Sequence, residues 1–131
     1  MTAELTLLAW TLVLALLQIV LVATLRNPEV GLAYNMGPRD DPAPPPRKIT
    51  ARLMRAQANL FETLPLFAAA VLIAHVGGRE SASTLMGCQI YLAARVIYVP
   101  LYAAGTPVLR TAVWAASLVG LVMVLEAILG Y

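Results

Sequence analysis

The sequence is short of charge, of sulfur and of imidazole. Only 12% of its 131 residues are Asp, Glu, Lys or Arg, with one cysteine, Cys88, and one histidine, His75. A single cysteine excludes an internal disulfide and any cysteine-cluster metal site. No metal-ligand cluster, phosphate-binding glycine loop or nucleophile elbow appears, so no metal is expected. A formal net charge of +2 leaves no electrostatic footprint for nucleic acid, and none is expected as a partner. No basic residues precede the first apolar run and no small-residue cleavage site follows it. That run reads as a retained span, not a signal peptide.

Apolar sequence is abundant: 60% of residues are hydrophobic and the mean hydropathy is +0.79. A soluble domain of this length rarely has such a composition, whereas a polytopic membrane protein does. A helix needs about 20 apolar residues to cross the bilayer core. Four stretches approach or exceed that length, at 5–25, 60–76, 82–104 and 108–129. Gly77-Gly78 and Gly105-Thr106-Pro107 punctuate the gaps, where helices should stop. The sequence therefore predicts one all-α domain over 1–131, an integral membrane four-helix bundle. The loop at about 26–48 holds Pro28, Pro38, Pro42, Pro44, Pro45 and Pro46, which argue against a regular helix there. Ile49-Thr50 should open a helix that continues into the second span.

Arginine and lysine are unevenly distributed. Arg26, Arg39, Arg47, Lys48, Arg52 and Arg55 separate the first two spans, and only Arg79 separates the second and third. By the positive-inside rule the Pro-rich loop is cytoplasmic and both termini face out.

Glu62 and Arg95 each lie about 20 Å from the outer ends of their helices, counted at helical rise. Groups of this kind at membrane depth pair or line a polar cavity, so a Glu62–Arg95 pair or a shared cavity is expected. At helical spacing Arg52, Arg55, Asn59 and Glu62 share one face, and Tyr91, Arg95, Tyr98 and Tyr102 share another. A purely structural salt bridge with interface tyrosines explains those faces equally well. Pro65 should bend the helix near Phe61-Glu62. His75 reads as an interfacial residue, Cys88 as packing, Gln18 as a helix–helix hydrogen bonder, and Asp40 and Asp41 as solvated loop charges.

The stretch "RAQANLFETLPLF" resembles the second-helix signature of the MAPEG family, the membrane-associated proteins of eicosanoid and glutathione metabolism. Arg55, Ala56, Gln57, Asn59, Glu62, Pro65 and Leu66 fit its pattern. "ARVIYVPLY" resembles the family's third-helix segment, and Arg110 resembles the arginine near the start of its fourth helix. The resemblance implies a homotrimer with glutathione sites between subunits near the cytoplasmic side. It implies that Arg52, Arg55, Asn59, Glu62, Arg95, Tyr98 and Tyr102 bind glutathione, and that Arg110 or Arg26 activates its thiol. The expected activity is a glutathione transferase or peroxidase acting on lipophilic small molecules within the lipid. The long first loop, "GLAYNMGPRDDPAPPP", looks more like that of bacterial members, so a bacterial inner membrane is the expected location. Tyr98 stands where some members carry histidine. A non-catalytic trimeric membrane protein is the main alternative, since the family includes members without demonstrated catalysis. A small multidrug transporter is a more distant one, because those use a glutamate in the first span and none lies between Leu5 and Leu25.

Overall fold

A computed structural model describes residues 1–130. It comprises α1 (Ala3–Val30), α2 (Leu32–Met36), α3 (Lys48–Val76), α4 (Ala82–Ala104) and α5 (Pro107–Leu129), and no strand occurs among the described residues. The four long helices have the length and apolarity to cross a membrane. At 1.5 Å per residue even the 23-residue α4 and α5 reach about 34 Å, more than the roughly 30 Å hydrocarbon core.

Helix ends follow local chemistry. The Thr2 side chain caps α1 by accepting from the Leu5 amide, and Ser81 and Thr84 cap α4 reciprocally. Gly105 ends α4 in a left-handed conformation at φ 73, which suits a residue without a Cβ. Pro107 then opens α5 at a position where its missing N–H is harmless.

The first loop departs from expectation in two ways. α1 continues past Leu25 and through Pro28 to Val30. Proline removes only one backbone donor, and the Gly31 amide closes the last turn on the Asn27 carbonyl at 2.8 Å. The loop also contains α2, placed between Gly31 and Gly37 ahead of the proline run. α3 begins at Lys48 and passes through Pro65 without a break.

α4 and α5 make the most extensive helix pair, and α1 packs on α3 and α4. A Cβ built on Gly87 would meet the Gly120 carbonyl at 2.6 Å, so these two glycines let the backbones of α4 and α5 approach closely. Leu8, Leu60, Leu64, Phe67, Val71, Cys88, Tyr91, Leu121 and Val124 form the core. Tyr91 belongs to it: its ring stacks on Phe67 at 3.9 Å and its hydroxyl bonds that of Thr63 at 2.8 Å. Cys88 is buried there, the packing role expected of it. Trp10, Leu16, Leu17, Leu72, Ile73, Ile97 and Val119 point outward, as a lipid-facing surface requires.

Candidate functional site

The basic end of the bundle gathers the polar faces of α3 and α4 beside the first turns of α5. Arg55, Asn59 and Glu62 recur on α3 at spacings of four and three, so they stack along one side. Tyr98 and Tyr102 do the same on α4. With Arg110, Thr111 and Trp114 of α5 they line a cavity of about 410 Å³. A second cavity of about 200 Å³ shares Arg55, Tyr102 and Arg110 and adds Arg52, Gly105 and Pro107.

Tyr102 organises the cations. Arg55 Nε donates to its hydroxyl at 3.1 Å, and the guanidinium carbons of Arg55 and Arg110 lie 5.7 Å and 4.4 Å from its ring centroid. Its ring meets Tyr98 edge-on at 5.5 Å. Arg52 donates to the Ala103 carbonyl at 3.2 Å, packed under Gly105, where a Cβ would come within 2.9 Å of the guanidinium. The ion pairs among the described residues join Arg26 and Arg47 to Glu29, and His75 to Glu80. Arg52, Arg55 and Arg110 thus surround shared space with aromatic and carbonyl neighbours but no acidic partner.

Arg95 is buried, and Glu62 is not its direct partner. Its Nη1 donates to Asn59 Oδ1 at 2.9 Å and its guanidinium carbon lies 4.5 Å from the Tyr98 ring centroid, while its Nε has no bonded partner. Glu62 instead lines the larger cavity, whose wall does not include Arg95, so of the expected pair only Glu62 meets the cavity and no direct pair forms. The reason is register: Asn59 stands one turn before Glu62 on α3 and intercepts the guanidinium.

Arg26 lines neither cavity. It donates to Glu29 at 3.0 Å and to the Pro44 carbonyl at 2.5 Å, and Glu29 also accepts from Arg47 at 3.0 Å and Thr50 at 2.6 Å. This network clips the end of α1 to the start of α3. Sequence reasoning missed Ala58, Thr111 and Trp114 as cavity residues. Trp114 follows Arg110 by four positions and follows Thr111 by three, and both spacings put residues on one helix face, a signal that was available for Trp114. It also missed the opposite end, where Glu80 accepts from the Thr2 hydroxyl at 2.7 Å and lies 3.2 Å from His75 Nδ1. Buried Glu4 accepts there from Thr84 at 2.8 Å. Gln18 is buried as expected of a helix–helix bonder, but its Nε2 has no partner among the described residues.

Four membrane-length helices, three of which line a charged, tyrosine-bearing cavity, define an integral multi-pass membrane protein of the four-helix-bundle class. The sequence profile of the MAPEG family matches residues 5–130, nearly the whole chain, and the chain belongs to that family. No curated protein matches it significantly.

Proposed function

We propose that this protein is a membrane-bound glutathione-dependent transferase or peroxidase acting on lipophilic electrophiles or hydroperoxides. The observation that carries this reading is the charge around the two adjoining cavities: Arg52, Arg55 and Arg110 without an acidic partner among the described residues, and Glu62 on the wall of the larger one. Glutathione has two carboxylates, one ammonium and one thiol. Guanidinium groups suit the carboxylates and Glu62 suits the ammonium. Asn59, Tyr98 and Tyr102 complete the binding set, and the buried Arg95 acts through Asn59, to which it donates.

Arg110 opens α5 at the cavity wall, and a guanidinium beside a thiol lowers its pKa from about 8.5 and raises the thiolate fraction. In transfer, the thiolate sulfur bonds to an electrophilic carbon, and the displaced electron pair leaves with the departing group or is protonated on a conjugated acceptor. In hydroperoxide reduction, an S–O bond forms as the O–O bond breaks and the alkoxide takes a proton. The resulting sulfenic acid condenses with a second glutathione to give disulfide and water.

The functional unit in this reading is a homotrimer in a bacterial inner membrane, with the Pro-rich loop cytoplasmic and both termini outside. Glu62 and Arg55 are exposed on the single subunit although they belong to a membrane-spanning helix. Charges at that position face an interior or a polar cavity, and a second copy would close such a cavity.

The test is a pH titration of thiolate absorbance of glutathione bound to purified protein. Arg110→Ala should raise the thiol pKa while leaving tripeptide binding largely intact, each pKa unit being about 1.4 kcal/mol of lost thiolate stabilisation. Arg26→Ala is the comparison. If neither moves the titration, another group activates the thiol. Absence of any bound thiolate in the wild type would favour a non-catalytic binding protein of the same fold.

A further inference from the structure

The loop between α1 and α3 carries an element that the cavities do not use. α2 is five residues long, and Leu32 and Met36 lie one turn apart on the same side of it. They are 60% and 79% exposed. A helix this short has little stability of its own in water, so its order comes from its attachments. These lie elsewhere on the segment. The Tyr34 hydroxyl donates to the Asp41 carbonyl at 2.7 Å, the Asn35 amide bonds Asn27, and Arg39 donates twice to the Asn35 carbonyl at 2.8 and 3.1 Å. The loop is thus folded onto one side of α2 and leaves the apolar side open.

Position supplies the occupant. The apolar run of α1 ends at Leu25, and Val30 lies five residues beyond it, about 7.5 Å at helical rise. The headgroup layer on each side of the hydrocarbon core is about 5–8 Å thick. Only Gly31, at φ 87, separates Val30 from α2. The short helix therefore leaves the membrane-spanning helix near the outer edge of the headgroup layer, within side-chain reach of it. Arg39 of the same loop and Lys48 at the start of α3 are exposed, as is Arg47, which pairs with Glu29. Asp40 and Asp41 offset much of that charge, so apolar insertion dominates the interaction.

We propose that α2 is an interfacial anchor: Leu32 and Met36 reach into the headgroup layer toward the acyl boundary, with Arg39 and Lys48 facing lipid phosphates. The anchor pins to the membrane surface the same loop whose Pro44 carbonyl holds Arg26. This inference rests on the membrane-spanning fold and is independent of the glutathione reading.

The experiment uses the full chain in vesicles of phosphatidylcholine and phosphatidylglycerol. Spin labels are placed singly through Leu32→Cys, Met36→Cys and, as the aqueous reference, Asp40→Cys. All three positions are exposed, and Cys88 is fully buried, so the parent protein serves as the unlabelled control. Labels at 32 and 36 should collide more often with oxygen, which concentrates in lipid, and less often with a water-soluble nickel chelate than the label at 40. Nickel collision rates equal to those at 40 would place α2 in water and overturn the proposal. Shielding from both reagents would mean that protein, such as a second copy, covers the face, and would overturn it equally.

Discussion

Asn59 and Glu62 stand one turn apart on α3, and that turn decides which of them bonds the buried Arg95 of α4 and which lines the cavity. Arg95 is 1% exposed and bonded to Asn59, whereas Glu62 is exposed on the cavity wall. Asn59→Ala should therefore destabilise the fold by about 1.5–3 kcal/mol, the worth of a hydrogen bond to a charged group. Under the proposed function, Glu62→Ala should weaken glutathione binding with a much smaller loss of stability. Thermal unfolding in detergent and isothermal titration separate the two effects, and the reverse ranking would return Glu62 to the structural role. Gln18 gives a prediction of opposite sign. Its buried Nε2 lacks a partner, so Gln18→Leu should be neutral or stabilising. A clear loss of thermal stability would reveal a partner supplied by another subunit or by water.

The helices are held by contacts that differ in kind along their length. Between α4 and α5 the constraint is steric: Cβ atoms at Gly87 and Gly120 would meet the opposing carbonyls at 2.6 and 2.5 Å. Gly87→Ala should cost about 1–3 kcal/mol through forced separation. It should also change glutathione affinity, because both helices line the cavity. Unaltered melting and affinity would show that the pair relaxes freely. Across the α3–α4 turn the constraint is polar. Glu80 is held below the usual carboxylate pKa, first by the Thr2 hydroxyl and then by His75, against an opposing effect of burial. A depressed carboxyl stabilises the folded state above its ordinary pKa of 4.5 and loses that contribution as pH falls through its lowered value. Wild type should therefore melt above Glu80→Gln at neutral pH, and the gap should close on acidification. A gap independent of pH would mean that the carboxylate charge does not hold the turn.

The whole molecule is a membrane bundle whose two ends differ: a basic end with adjoining cavities and an opposite end clasped through Thr2, Glu80 and His75. An impermeant reagent applied to intact cells should fail to label Asn35→Cys and should label a cysteine at Ser83. The opposite pattern would invert the proposed topology. Four spans, their all-α class and the polar faces of α3 and α4 were legible in the sequence, because hydrocarbon demands long apolar helices and helical period places residues three and four apart together. The family was legible in the run from Arg55 to Phe67, where side-chain types at fixed spacing define one cavity wall. The sequence did not show that Asn59 rather than Glu62 takes Arg95, that Tyr91 turns into the core, or that Arg26 clips onto Glu29 and Pro44. Those outcomes depend on the rotation and vertical register of one helix against another. Local spacing leaves both free, and only packing, down to the contact of Gly87 with Gly120, decides them.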